Sequence, residues 1–232
     1  FHDRIRERVL AEIPRARMKA CHRMLADALA GSGSADTVSL FEHYRAAGET
    51  ERAREHVVSS ATAASRALAF VRAADLYRLA LELEPSGEWP RSRVRRELAD
   101  ALAHAGHSAE AGAAYLDAAS HAQGLEALEL RRLSAQHFLT GGDPQRGVPI
   151  LKQVMQEVGL DYPETTRGTI ARIVWERTKL GALGLRFKER SEDRIAPRVL
   201  ARVDTAFSAA VGLAMTDPAR AAAFSSLHLS LA

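Results

Sequence analysis

Apolar side chains recur along this chain at three- and four-residue steps, broken only by short Gly, Pro and Ser joints, which is the period of helices buried on one side. Ile5, Val9 and Ile13 mark a first helix, and Pro14 opens a second whose face is Met18, Cys21, His22, Leu25 and Leu29. That stripe predicts a buried, structural Cys21. Gly31-Ser-Gly-Ser34 breaks the pattern as a joint and candidate boundary. Asp36 can cap the next helix, which carries Leu40, Phe41 and Tyr44 and ends at Gly48, a left-handed C-cap. A long helix follows over 49–67, and another begins near Phe70. About eleven antiparallel helices and no sheet of more than two strands are expected.

The clearest unit runs from Leu98 to Ala118. Leu98, Ala99 and Leu102 on a first helix, Gly106 at the turn, and Ala111, Tyr115 and Ala118 on a second have the spacing of a tetratricopeptide unit. Ala73, Tyr77, Ala80 and Pro85 occupy the same second-helix and exit positions one copy earlier. Tyr77 and Tyr115 are 38 residues apart (115 − 77), near the period of about 34, with a few residues added around Gly87 and Pro90. Ala135, Phe138, Gly142, Gly147, Leu151 and Val154 form a weaker third copy. In it Asp143-Pro144 starts the second helix, and Asp217-Pro218 repeats that start 74 residues on (217 − 143), about two repeat lengths. An irregular pair, 165–185 and 197–215, lies between, separated by a charged loop over 186–194. Such units cannot bury their apolar faces alone and must stack. The expected fold is all-α, a right-handed superhelical solenoid of antiparallel helix pairs, degenerate and tetratricopeptide-like.

Composition narrows the function. The chain has 32 basic and 29 acidic residues, a net charge of +3, with 28 of the bases Arg, too mild a balance for a dedicated DNA-binding domain. No nucleic-acid partner is expected. Cys21 is the single cysteine, so no internal disulfide forms and a Cys-based zinc site is not expected. The longest uncharged apolar stretch, Ala206 to Met215, falls short of the roughly 20 residues that span a bilayer, and no charged-then-apolar leader opens the chain. A cytoplasmic location with no membrane partner is expected. The start at Phe1 and the stop at Ala232 within a helical stretch point to a piece of a larger protein.

Phe1-His-Asp-Arg-Ile-Arg-Glu7, then Pro14 to Leu29 with His22-Arg23-x-Leu25-Ala26-x-Ala28-Leu29, resembles the segment that closes the ATPase module of large bacterial signalling ATPases related to the AAA and STAND classes. Glu42-His-Tyr-Arg-Ala-Ala-Gly48 and Ala67-x-x-Phe70-x-x-Ala73-Ala74-x-Leu76-Tyr77-x-x-Ala80-Leu81 resemble the helical repeats downstream of it. Gly184-Leu-Arg-Phe-Lys-Glu-Arg190 and the helix from Asp204 to Asp217 resemble the members fused to a serine/threonine protein kinase. The resemblance implies residues 1–30 as the end of the ATPase-associated module and 35–232 as the repeats. It implies a regulatory, protein-interaction role within a kinase-ATPase, or alternatively the sensor arm of an ATPase-type transcription activator. The chain itself has no Gly-x-x-x-x-Gly-Lys-[Ser/Thr] loop, His-Arg-Asp loop or Asp-Phe-Gly motif, so no catalytic residue and no cofactor is assigned to it.

Four clusters could carry chemistry. His104, His107 and Asp100 have a metal-ligand spacing, but turn residues on a repeat surface explain them more simply, and no metal site is expected. Gly31 to Ser34 lacks the lysine of a phosphate cradle. The basic residues Arg172, Arg177 and Lys179, continuing to Arg186, Lys188 and Arg190, could lie on a membrane, but a packed helix with a solvated outer face is the expectation. In tetratricopeptide solenoids the first helix of each pair lines a concave groove. The resemblance places Arg93, Arg96, Asp100 and Ala103 there in one copy and Glu129, Arg132, Gln136 and Leu139 in the next. The expected partner-binding residues are therefore Arg93, Arg96, Asp100, Arg132 and Gln136, with the arginines gripping an acidic group of a protein or peptide, or of the parent's own modules.

Overall fold

The computed structural model of the chain describes residues 8, 12–31, 37–83, 90–183 and 195–232. Among these there are eleven α-helices and no strand: α1 (Arg15–Gly31), α2 (Thr37–Ala47), α3 (Thr50–Arg66), α4 (Phe70–Glu82), α5 (Arg91–His104), α6 (Ser108–Ser120), α7 (Gly124–Thr140), α8 (Pro144–Val158), α9 (Thr166–Leu183), α10 (Pro197–Leu213) and α11 (Pro218–Leu231). The expected stripe at Ile5 and Val9, the Gly-Ser joint from Ser32, the Asp36 cap, the insertion around Gly87 and the loop 186–194 lie outside the described residues. So do the resembling motifs at 1–7 and 184–190.

The chain divides into two compact units, 1–101 and 102–232, the division falling in the last turn of α5. In the first unit each helix packs on the next, α1 on α2, α2 on α3 and α3 on α4. Arg52 on α3 reaches Asp27 on α1 at 2.6 Å, and Arg23 reaches Glu49 at 3.1 Å, so α1 is held to the helices that follow. Its buried face is narrow. Ala26 is its one fully buried residue, with Met18, His22 and Leu29 half-buried on the same stripe, while Leu25 is 50 % exposed. Cys21, expected in the core, sits outside that stripe and is exposed. A helix covered from one side buries one i, i+4 row, and Cys21 belongs to the row beside it. The unit's core is small-residue helix packing around Phe41, Val57 and Tyr77, with Ala53, Ala61, Ala73 and Ala80 at the contacts. Burial pushes the Tyr77 phenol up, against the pull of its hydroxyl contact with Thr62 at 3.3 Å.

In the second unit α6 packs on α7 and α7 on α8, as their order suggests. The chain then leaves sequence order. α10 packs across α7 and α8, α11 packs on α10, and α9 packs on α11. The pair α10 and α11 therefore neighbours the pair α7 and α8 directly. The 74-residue spacing of Asp143-Pro144 and Asp217-Pro218 is one step between adjacent pairs with a helix inserted, instead of the two repeats that the sequence suggested. Both starts are the same device, Asp-Pro-x-Arg. Asp143 accepts the Arg146 backbone N–H at 3.1 Å and Asp217 that of Arg220 at 3.0 Å, with Pro at the first helical position of each helix.

One helix exit recurs. Glu49 N–H donates to Tyr44 O and Gly48 N–H to Arg45 O, and the same two bonds close the turns at Gly106, Gly142 and Gly159. This 6→1 and 5→2 pair is the Schellman closure, with a left-handed residue at its hinge. Gly48 has φ +82° and Gly106 +80°. At the α3–α4 turn the hinge residue is Leu68, at φ +58°, closed by the same bonds to Ser65 and Ala64.

Candidate functional site

A groove of about 180 Å³ lies between α7 and α10 of the second unit. Leu125, Leu128, Glu129 and Arg132 line one wall, on one helical face by their three- and four-residue steps. Pro197, Leu200, Ala201, Asp204 and Thr205 line the other. Pro197 opens α10, and the chain folds this way because Ser208, Ala209 and Gly212 leave α10 thin where it meets α7.

Arg132 forms the polar side of the groove, and its side chain is only 11 % exposed. Its Nε and Nη2 donate to Glu129 at 2.8 and 2.6 Å, and its Nη1 to the Ser208 hydroxyl and to Gln136 Oε1 at 3.4 Å. Ser208 in turn donates to Gln136 Oε1 at 2.7 Å. A guanidinium has five N–H groups, and four of Arg132's point at protein acceptors. It therefore ties α7 to α10 and leaves little for an incoming carboxylate. Glu129 is taken up in the same ion pair, Asp204 is the other acid of the lining, and the remaining walls are mostly apolar.

Of the residues that the sequence pointed to, Arg132 and Gln136 are brought together in this network. Arg96 and Asp100 are an i, i+4 pair on α5 at 4.0 Å, and Arg93 is exposed on the same helix. Arg93, Arg96 and Asp100 belong to the first unit and Arg132 and Gln136 to the second. Sequence spacing missed Ser208, Leu200, Asp204 and Thr205, since nothing in one sequence shows that α10 lies beside α7. Glu129 stood at a groove position, and its place three residues before Arg132 is a readable ion-pair signal.

No group of three or more His, Cys, Asp or Glu is placed to hold a metal among the described residues. His107 faces Glu110 at 3.2 Å. His22 and His43 approach Nδ1 to Nδ1 at 3.0 Å across α1 and α2, one nitrogen donating to the other. No helix of the described residues is long and apolar enough to cross a membrane. No protein-family model, curated protein or solved structure matches the chain.

Proposed function

We propose that the chain is a non-catalytic protein-interaction region, a right-handed tetratricopeptide-like solenoid that regulates a multidomain bacterial serine/threonine kinase-ATPase. The observation that carries it is the α7–α10 groove, an apolar cleft between the first helices of two adjacent pairs. In a solenoid of helix pairs that is the concave side, where extended concave surfaces do the binding. The recurring turn supports the same reading, as do the small residues Ala73, Ala111, Gly147 and Ala221, which are all buried at the fourth position of their helices. The kinase-ATPase parentage rests on the resemblance of the sequence motifs.

The partner this groove suits is a peptide segment with an aliphatic side chain for the Leu125, Leu128 and Leu200 walls. That replaces the acidic partner expected at Arg132, whose guanidinium is already engaged. Arg93 and Arg96 on α5 remain the candidates for an acidic contact. Binding would act on the parent through differential affinity for its two states.

Selection from a displayed random-peptide library tests the proposal. Enrichment of peptides with an aliphatic anchor is expected, with Leu200→Glu weakening them by at least about tenfold, as loss of a central anchor does. Peptides that bind the folded Leu200→Glu protein at wild-type affinity would overturn it.

A further inference from the structure

We propose that the outward face of α9 is a peripheral docking surface for an anionic phospholipid bilayer. α9 turns Thr169 and Glu176, both buried, toward α11, where Ser230 donates to Glu176 at 2.7 Å. A solvated polar outer face was expected. Instead Ile170 is 55 %, Val174 59 % and Trp175 68 % exposed, with Ala171, Thr178, Gly181 and Ala182 exposed beside them. The helix thus buries polar side chains inward and carries apolar ones on an outer side with no helix packed on it among the described residues.

Charge selects the occupant. The exposed ionised residues of α9 are Arg167, Arg177 and Lys179, its single acid, Glu176, is buried on the inner side, and the exposed acids of the preceding linker, Asp161 and Glu164, face Arg172 and Lys152. Arg177 and Lys179 are two residues apart, about 200° around the axis, and the outer strip fills that wider arc, so one basic side chain stands at each of its edges. Long basic side chains in that arrangement can lay their stems along apolar surface and lift their charges to the level of phosphate headgroups. An exposed indole at the rim suits the same boundary, where its apolar body and N–H donor are both satisfied.

A second copy of the chain fits worse, because a two-fold contact would set this cationic face against itself. The linker before α9 is strapped down, which fixes how that face is presented. Arg220 on α11 donates to Pro163 O and Glu164 O, both at 2.8 Å.

Sedimentation of the 232-residue chain with vesicles tests this. Binding is expected to phosphatidylcholine vesicles carrying about 30 % phosphatidylglycerol at about 0.05 M salt, and not to pure phosphatidylcholine. At about 1 kcal/mol for each basic residue near an anionic surface, Arg177→Gln with Lys179→Gln should lower partitioning on the order of 30-fold. Val174→Glu should abolish it, while Arg17→Gln with Arg66→Gln, a pair of equal charge in the first unit, should leave it unchanged. With Trp89 replaced by Phe, Trp175 emission should shift to the blue on binding. A chain that stays in the supernatant with anionic vesicles overturns the proposal, and if it then binds polyglutamate the face is one for an acidic protein. Equal losses in the α9 and first-unit charge variants also overturn it.

Discussion

Gly212 and Leu139 meet so closely that a β-carbon on the glycine would lie 2.9 Å from Leu139 Cδ1. Leu139 is buried on α7, and on its other side a β-carbon on Gly147 of α8 would come 2.6 Å from its Cγ. One side chain therefore sets how near both α8 and α10 approach α7. Gly212→Ala should destabilise the chain by about 1–3 kcal/mol through overpacking, and Gly147→Ala by more. Urea unfolding measures both. A Leu139→Ala background should cut the penalty of either, since the two changes share one contact.

Leu68 occupies a hinge that glycine fills at the equivalent turns. It is 73 % exposed, so its side chain gains little there, while a left-handed conformation costs a non-glycine residue roughly 1–2 kcal/mol. Replacement by glycine relieves that and costs about 0.5–1 kcal/mol in added unfolded-state freedom. Leu68→Gly should therefore stabilise the chain by about 0.5–1 kcal/mol, read as a rise in the urea midpoint at unchanged slope.

Arg220 does three things at once. It bonds two carbonyls of the linker into α9, pairs with Asp217, and lies over the Tyr162 ring at 5.4 Å. Asp217 raises its affinity for the proton further, so the charge is permanent. Arg220→Ala should cost about 2–3 kcal/mol, the range for charge-assisted bonds, and Lys should restore only part, having no planar fork. Faster hydrogen exchange confined to 160–170 and the start of α11 would locate the loss.

Asp143 gives a pH dependence of known sign. The Arg146 guanidinium, at 2.5 Å, and the Arg146 backbone N–H hold its carboxyl below the usual range. A group with a lowered folded value stabilises fully above its unfolded value of about 3.9 and loses that contribution as pH falls through the folded one. Acid titration should loosen the start of α8 below about pH 4. Asp143→Asn, a neutral cap of similar strength, should remove that component of the acid transition.

Sequence made the local structure legible wherever one residue type answers one backbone requirement. Gly48 and Gly106 at left-handed hinges and the two Asp-Pro starts are such places. Tyr77 and Tyr115 stood out because a large buried ring among alanines is a periodic signal. Long-range placement was hidden. Whether α9 belongs to a pair or is inserted depends on which surface α10 prefers, and its apolar residues lie on both faces, so its periodicity does not say which side is buried. Cys21 was misplaced for a related reason: the width of a buried stripe is set by how many helices cover it.

Arg132 carries the last and sharpest expectation, because the resemblance to tetratricopeptide repeats put it with Arg93 and Arg96 as an exposed arginine. An exposed one can be removed at almost no cost to the fold, and Arg96→Ala should fall within about 0.5 kcal/mol of wild type. Arg132 instead bridges Glu129 on its own helix to Ser208 on α10 in a nearly closed site. Arg132→Ala should destabilise by about 1.5–3 kcal/mol, and Ser208→Ala by about 1 kcal/mol. Their double mutant should fall short of the sum by at least about 0.5 kcal/mol, because each removes the other's partner. Urea melts of the four proteins give the coupling directly. Strict additivity would mean that the bond does not join α7 to α10, and Arg132 would return to the set of residues available to a partner's carboxylate.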